Sequence, residues 1–248
     1  MIIISNRLIT DFQNGYNEHT VQAQILKLMM EGREEFRYPS LQVLEFELNL
    51  RNLIVEAAVK LAHSGLRFLI FRESVCNEQY WQRTSEGGFV LREGVMPSEA
   101  IKDIYKNGHL YGTECATAMV IVYYKALLEI YGEQLFNRSF VRIHLMNWHY
   151  LDPKLREIGQ IHKTSTFLPG DRVYFTNPDV DPKTPELQGE NAIDLGGGLY
   201  YGHGVGIARA EAIINMLNQN RMPGATRSAY FMDVAARPDF TKLYNIMH

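Results

Sequence analysis

The stretch "YGTECATAMVIVYYKALLEIYG", from Tyr111 to Gly132, decides the fold expected for this chain. Its apolar residues continue to Gly132 and predict a long helix, with Cys115, one of two cysteines, near its start. Thr113 is predicted as the N-cap, which makes Glu114 the first helical residue and Cys115 the second. Unpaired N–H groups and the positive end of the helix dipole would then favour a thiolate. This placement predicts a nucleophile, whereas a small buried filler is the alternative.

The segments on either side of this helix predict the fold class. Apolar residues recur at helical spacing over 20–31 and 41–62, and a further short helix begins at Pro97. After residue 138, β-branched and aromatic stretches follow one another: "SFVRIHLMNW" (139–148), "DRVYFTN" (171–177), "ENAIDL" (190–195), "LYYGHGVGI" (199–207) and "SAYFMDV" (228–234). Gly196–Gly198 predicts a hairpin between two of them, and "ARAEAIINMLNQN" predicts one more helix. Helices followed by an antiparallel meander predict an α+β fold.

Composition and charge exclude several classes of function. The chain has 248 residues and a net charge of −3, without the basic run that nucleic-acid binding needs. The N-terminus turns polar after four apolar residues, and no window approaches the roughly 18 apolar residues of a membrane span. Two cysteines do not indicate a disulfide framework, and the histidines lack zinc-site spacing. We therefore expect a protein made in the cytoplasm, with no nucleic-acid partner, membrane span, metal or cofactor.

A nucleophilic cysteine needs a base, and the second half of the chain offers two segments that could supply it. "TPELQGENAIDL" carries Glu186 in a predicted loop and Glu190 at the entry to a predicted strand. "YYGHGVGI" carries His203 between glycines, which let backbone or substrate come close. Most isolated histidines are ordinary polar residues, and these glycines miss the dinucleotide-binding spacing. The residues alone leave the choice of base open.

Five motifs together resemble one known family over essentially the whole chain. They are "YGTECATA" (111–118), "NW" (147–148), "QGEN" (188–191), "YYGHGVGI" (200–207) and "PGATRSAY" (223–230). The chain resembles the protein-glutamine gamma-glutamyltransferases of the bacterial spore coat. The resemblance implies a calcium-independent transglutaminase with a papain-related, NlpC/P60-like core in which the helix bearing the nucleophile packs on an antiparallel sheet.

The family's functional residues can be carried onto this chain by their motifs. The resemblance implies Cys115 as the nucleophile, Glu190 as the base, Glu114 as an auxiliary carboxylate and His203 near the site. It also implies that Phe68, Trp148 and Tyr174 line the passage to the thiol. This chain departs from the family at Leu187, where the family has a tryptophan. Glu114 has a second interpretation, because acidic residues commonly pair with the dipole in a helix's first turn.

A cysteine and a glutamate can exchange a proton only if their surroundings change their acidity. The ordinary pKa values of ~8.5 and ~4.3 differ by about four, or roughly 5.7 kcal/mol. Burial can raise a carboxylate pKa by up to ~3, and a helix start can lower that of a thiol. We therefore predict that Glu190 is buried beside Cys115, with Glu114 raising its proton affinity further.

The predicted function is the formation of ε-(γ-glutamyl)lysine cross-links between accessible glutamine and lysine side chains of spore-coat proteins. We expect residues 1–248 to form one catalytic domain, with an N-terminal helical part over 1–65 and a catalytic core over 66–248. Two alternatives remain. A papain-like cysteine amidase or peptidase would use His203 as its base, and a non-catalytic coat scaffold would merely bury Cys115.

Overall fold

A computed structural model describes residues 1–9 and 15–247 of the chain. Within these ranges the α-helices are α1 (Val21–Glu31), α2 (Leu41–Ala62), α3 (Pro97–Lys106), α4 (Cys115–Ser139), α5 (Ala210–Asn218) and α6 (Phe240–Asn245). Apolar periodicity correctly predicted α1 and α2, Pro97 correctly predicted the start of α3, and the stretch "ARAEAIINMLNQN" correctly predicted α5. Helices α1 to α4 thus lie in the N-terminal and central parts of the chain, and α5 and α6 lie near its end.

The two ends of α4 differ from the prediction. Glu114 and not Thr113 is the N-cap, so Cys115 is the first residue of the helix. Thr113 is unsuited to the cap because its backbone lies in a short strand, where its carbonyl accepts the Leu69 N–H. At the other end the helix continues to Ser139, although Gly132 (φ 70°, ψ 162°) interrupts its helical geometry. Only glycine adopts such a φ readily, so the predicted stop is a kink.

Short strands form four sheets in the described ranges. They are β1 (Ile2–Ile4), β2 (Arg7–Ile9), β3 (Phe36–Tyr38), β4 (Arg67–Phe68), β5 (Trp81–Arg83), β6 (Phe89–Leu91), β7 (Gly112–Thr113), β8 (His144–Leu145), β9 (His162–Lys163), β10 (Arg172–Thr176), β11 (Gly189–Gly196), β12 (Leu199–Gly202), β13 (Gly206–Arg209) and β14 (Tyr230–Ala236). The main sheet has the order β13-β12-β11-β10-β14-β9, and all its pairings are antiparallel. The smaller sheets are β2-β1-β3, β4-β7 and β5-β6-β8.

The predicted antiparallel meander is confirmed at β10, β11 and β14, and the glycine hairpin joins β11 to β12. Two strand predictions were too long. In 139–148 only His144–Leu145 is a strand, and 199–207 is divided by a turn in which the Val205 N–H donates to the Gly202 carbonyl. The N-terminal part, predicted as helical, also contains the β2-β1-β3 sheet.

The core lies between helices α2 and α4 and one face of the main sheet. Helix α2 lies against α4, and both contact β11. Among the described residues, α4 alone has the length and hydropathy of a membrane-crossing helix, and 72% of its apolar window is buried inside the protein. That burial is expected of the central helix of a core, and it holds the start of α4 firmly against the sheet.

A buried ion cluster fixes α2 to the beginning of β10. Arg51 donates to Glu47 at 2.7 Å and to Asp171 at 2.8 Å, and Arg237 donates to the same Asp171 at 2.8 Å. Burial opposes ionisation of Asp171, but the two arginines hold the pKa of its carboxyl below the usual range. Removing one partner of such a pair would strand a buried charge, so the cluster holds β10 in position.

Candidate active site

Cys115 lies at the N-terminus of α4 and opens into a cavity of about 450 Å³. The three aromatic residues predicted to line the passage, Phe68, Trp148 and Tyr174, all line this cavity. They come from three distant parts of the chain: β4, the loop after β8, and β10. The fold therefore assembles aromatic walls around the sulfur, and charged residues such as Arg172 and Glu186 complete the lining.

A second, larger cavity of about 1200 Å³ lies elsewhere, between residues 90–97, 137, 141–144 and 149–153. It contains no cysteine and none of the predicted site residues. Size alone would favour this cavity, but the chemistry favours the smaller one, because only that cavity contains a nucleophile.

The Glu190 side chain is buried beside the cavity on β11, with only 1% of its surface exposed. The glycines around His203 make room for it. A Cβ at Gly202 would lie 2.8 Å from Glu190 Oε1, and the Gly204 N–H donates to the same oxygen at 3.4 Å. The close approach that these glycines predicted is therefore made by the Glu190 carboxylate. Burial, together with the charge of Glu114, raises the pKa of Glu190 to about 7.

The raised pKa of Glu190 predicts an effect on stability. Its ordinary value is 4.5, so the unfolded chain loses this proton first and folding stability falls as pH rises from about 4.5 through about 7. Glu190→Gln removes the charge and keeps the shape. We expect it to raise the free energy of unfolding at pH 8 by on the order of 3 kcal/mol and to have little effect at pH 4.5.

Denaturant unfolding of both proteins at the two pH values measures this effect. Glu186→Gln, an exposed change in the same segment, is the matched control and should shift neither value. A stability difference between wild type and Glu190→Gln that is the same at both pH values would contradict the burial of this charge.

The acidity of Cys115 corrects one expectation. Burial, and then the charges of Glu190 and Glu114, raise the pKa of the thiol far above its ordinary value. A lowered pKa was predicted because the helix start was expected to offer free N–H groups. Those groups are occupied: the Glu114 carboxylate accepts from Ala116 N–H at 2.6 Å and from Thr117 N–H at 2.7 Å. The resting cysteine is therefore a neutral thiol.

Glu114 acts in this structure as the cap of α4. Beyond its two backbone bonds it also accepts from the Thr117 hydroxyl at 2.5 Å. Burial nevertheless raises the pKa of its carboxyl above the ordinary value. This geometry is the dipole-pairing interpretation that the sequence also allowed, and the auxiliary catalytic role remains a prediction.

Both ring nitrogens of His203 are hydrogen-bonded within the protein. Nε2 lies 3.1 Å from the Arg67 carbonyl oxygen, which can only accept, so Nε2 carries the hydrogen. Nδ1 then accepts from the Tyr201 hydroxyl at 3.0 Å. Burial lowers the pKa of His203 to about 4, and the ring is neutral at pH 7. A ring without a free lone pair does not favour the alternative in which His203 is the base.

Two further residues at the site went unnoticed in the sequence. Asn191 Nδ2 lies 3.7 Å from the Cys115 sulfur, and Arg172 Nη1 donates to Asn191 Oδ1 at 2.6 Å. Asn191 belongs to the "QGEN" motif, which could have drawn attention to it, but Arg172 lies in an ordinary strand pattern without any local signal. Glu186, the other candidate base, is exposed in a 3-10 turn over Pro185–Leu187 at the cavity lining.

Comparisons with known proteins show the family to which the chain belongs. A family model described as protein-glutamine gamma-glutamyltransferase matches residues 1–247. A protein of that name from Bacillus mycoides (strain KBAB4) is 47% identical over 242 residues, which cover 96% of this chain and 86% of the relative. One from Bacillus cereus (strain B4264) is 46% identical over 241 residues, with the same coverage.

A solved structure gives the same result. The transglutaminase from Geobacillus stearothermophilus (without C-terminal extension) superposes with a TM-score of 0.80 at 50% identity, covering 85% of this chain and 99% of that one. The match confirms the α+β fold and is consistent with the papain-like core. The chain therefore belongs to the protein-glutamine gamma-glutamyltransferase family and is a transglutaminase.

Proposed function

We propose that Cys115 and Glu190 form the catalytic pair with which this transglutaminase joins protein glutamine and lysine side chains, and that residues 1–248 act as one catalytic domain. The observation that carries the proposal is that the charge of Glu190 acts on the Cys115 thiol from a buried carboxylate. Its pKa of about 7 lets it both take and return a proton near neutral pH. Its charge is also, after burial, the largest cause of the raised pKa of Cys115.

The first half-reaction releases ammonia. Because the thiol is neutral at rest, Glu190 takes the Cys115 proton as the sulfur bonds to the γ-carbonyl carbon of glutamine. The protonated Glu190 then gives that proton to the departing nitrogen, ammonia leaves, and a γ-glutamyl thioester remains on Cys115. The raised pKa of the thiol makes the proton transfer and the C–S bond formation one coupled event.

The second half-reaction forms the isopeptide bond. A neutral lysine amine attacks the thioester carbon and loses a proton to Glu190. The C–S bond breaks, the sulfur regains the proton from Glu190, and the ε-(γ-glutamyl)lysine product leaves. Water could compete with the amine, so the apolar walls formed by Phe68, Trp148 and Tyr174 protect the thioester by limiting water at the sulfur.

The shape of the cavity indicates the kind of substrate. A chamber of about 450 Å³ admits a long, flexible side chain and excludes a folded protein surface. Accessible glutamine and lysine side chains are therefore the expected substrates. The similar proteins come from Bacillus and Geobacillus, and we propose that the acceptor and donor proteins are those of the spore coat, where this protein would act.

An assay of amine incorporation tests the proposed function. Wild-type protein is incubated with a glutamine-containing protein and a fluorescent primary amine, and bound fluorescence and released ammonia are both measured. We expect about one ammonia released for each amine incorporated. Ammonia release without incorporation would instead identify an amidase. The absence of both ammonia and incorporated amine would support the scaffold alternative.

The acidity of Glu190 predicts the pH dependence of the reaction. As the base, Glu190 must be ionised, so kcat/KM should rise with pH, with a midpoint near 7 for the Cys115–Glu190 pair. At pH 5 the rate should be about 100-fold below its plateau. Initial rates between pH 5 and 9 measure this curve. A midpoint near 4.5 would assign the base to an exposed carboxylate.

A further inference from the structure

Arg172 is a buried cation that has no carboxylate partner among the residues that the structure describes. Its side chain, 3% exposed on β10, donates from Nε to the Ile158 carbonyl at 3.0 Å. The guanidinium carbon lies 4.3 Å from the centre of the Trp148 ring. Among the described residues, no Asp or Glu oxygen comes within 4 Å of its nitrogens. Burial without an anion is costly, and it lowers the pKa of Arg172.

The contrast with Arg51, which is buried, and Arg237, which is partly buried, is informative. Arg51 and Arg237 both pair with Asp171, so their charge is neutralised in the resting protein. Arg172 instead lines the cavity around Cys115, whose sulfur carries a negative charge only during the reaction. A cation placed close to an atom that becomes negatively charged during the reaction can stabilise the transition state.

Arg172 also fixes the orientation of Asn191. Its Nη1 donates to Asn191 Oδ1 at 2.6 Å, which turns the amide nitrogen of Asn191 toward the Cys115 sulfur at 3.7 Å. The backbone and the side-chain amide of Asn191 both lower the pKa of the thiol against the effect of burial. The backbone and the side-chain amide of Asn191 therefore both act on the reacting sulfur.

The N–H groups of Ala116 and Thr117 at the start of α4 cannot stabilise charge on the sulfur, because they already donate to the Glu114 carboxylate. We propose that Asn191, oriented by Arg172, stabilises the negative charge that forms on the Cys115 sulfur when its proton or the acyl group leaves. This inference rests on the proposed function of Cys115. Asn191 touches the reacting atom and is a catalytic residue, and Arg172 is a positioning residue that adds positive charge.

The test measures the thiol directly, without a substrate. Iodoacetamide alkylates the thiolate, so the alkylation rate at pH 8 follows the ionised fraction and falls tenfold for each unit by which the thiol pKa rises. The rate at Cys115 is followed by mass spectrometry in wild type, Asn191→Ala, Asn191→Asp and Arg172→Gln. We expect a decrease of at least about tenfold in each variant, and the largest decrease in Asn191→Asp, which adds a negative charge.

Two controls separate this role from a structural one. Asn177→Ala removes another buried amide, which donates to the Leu187 and Leu217 carbonyls, and it should leave the alkylation rate within about twofold. A loosened site would expose the sulfur and speed up alkylation, which is the opposite sign. Arg172→Lys, which keeps the charge without the fixed geometry, replaces Arg172→Gln if that variant does not fold, and we expect alkylation at least about threefold slower.

Amine incorporation by the same variants completes the test. We expect kcat to fall about 100-fold with KM for the glutamine protein changed less than about threefold, since the lost interaction acts on the transition state. Folded Asn191→Ala and Arg172→Gln proteins that alkylate as fast as wild type would overturn the inference. If wild type incorporates no amine, the proposed function fails, and the alkylation rates still decide the role of Asn191.

Discussion

Replacing Glu190 by glutamine is expected to reduce kcat for amine incorporation by about 10³-fold or more. The carboxamide has the shape of the carboxylate but cannot accept the thiol proton, so every proton transfer of the proposed cycle is lost. The buried position on β11 and the pKa of about 7 single out this residue. Steady-state rates with a fluorescent amine and a glutamine-containing protein measure the loss.

Glu186→Gln is the matched control, because it makes the same change four residues earlier in the same segment. Glu186 is exposed, and no proton transfer is assigned to it. The kcat of the Glu186→Gln variant should therefore stay within about threefold of wild type. The reverse result, a severe loss at Glu186 and a mild one at Glu190, would transfer the base assignment to Glu186. The stability prediction helps here, since an inactive Glu190→Gln protein that is more stable at pH 8 cannot be inactive through misfolding.

Replacing Cys115 by alanine should abolish amine incorporation, with a loss of at least about 10⁴-fold, because no other cysteine lies among the described residues that line this cavity. Intact-mass measurement of wild type mixed with a glutamine substrate should show the added acyl group, and Cys115→Ala should show none. Incorporation that persisted in Cys115→Ala would disprove the thioester route.

Cys76→Ala is the matched control for the nucleophile. Cys76 is half-buried with its sulfur 3.9 Å from the Trp81 carbonyl oxygen, and burial raises its pKa to about 11. It lies outside the cavity lining of Cys115. We expect the activity of this variant to stay within about twofold of wild type, and its acyl adduct to form normally.

The fold illustrates how far local patterns extend. Helices α1 and α2 follow from apolar periodicity and α3 from its N-terminal proline, signals carried by neighbouring residues. The predicted N-cap of α4 was wrong because Thr113 is held in a strand by pairing with β4, which lies more than forty residues earlier. The division of 199–207 into two strands follows from a turn that makes room for Glu190, a contact that periodicity does not encode.

The sequence by itself determined the α+β class and the family, and it predicted the nucleophile and a short list of acidic partners, because helical spacing and motifs are properties of adjacent residues. Only the tertiary structure decided the protonation of the site. It made Cys115 a neutral thiol, Glu190 a weak acid, His203 a neutral ring and Arg172 a buried cation with no carboxylate partner in the described part of the chain. Each of these states depends on loss of water and on charges brought from distant strands, and both effects exist only once the chain has folded around the sulfur.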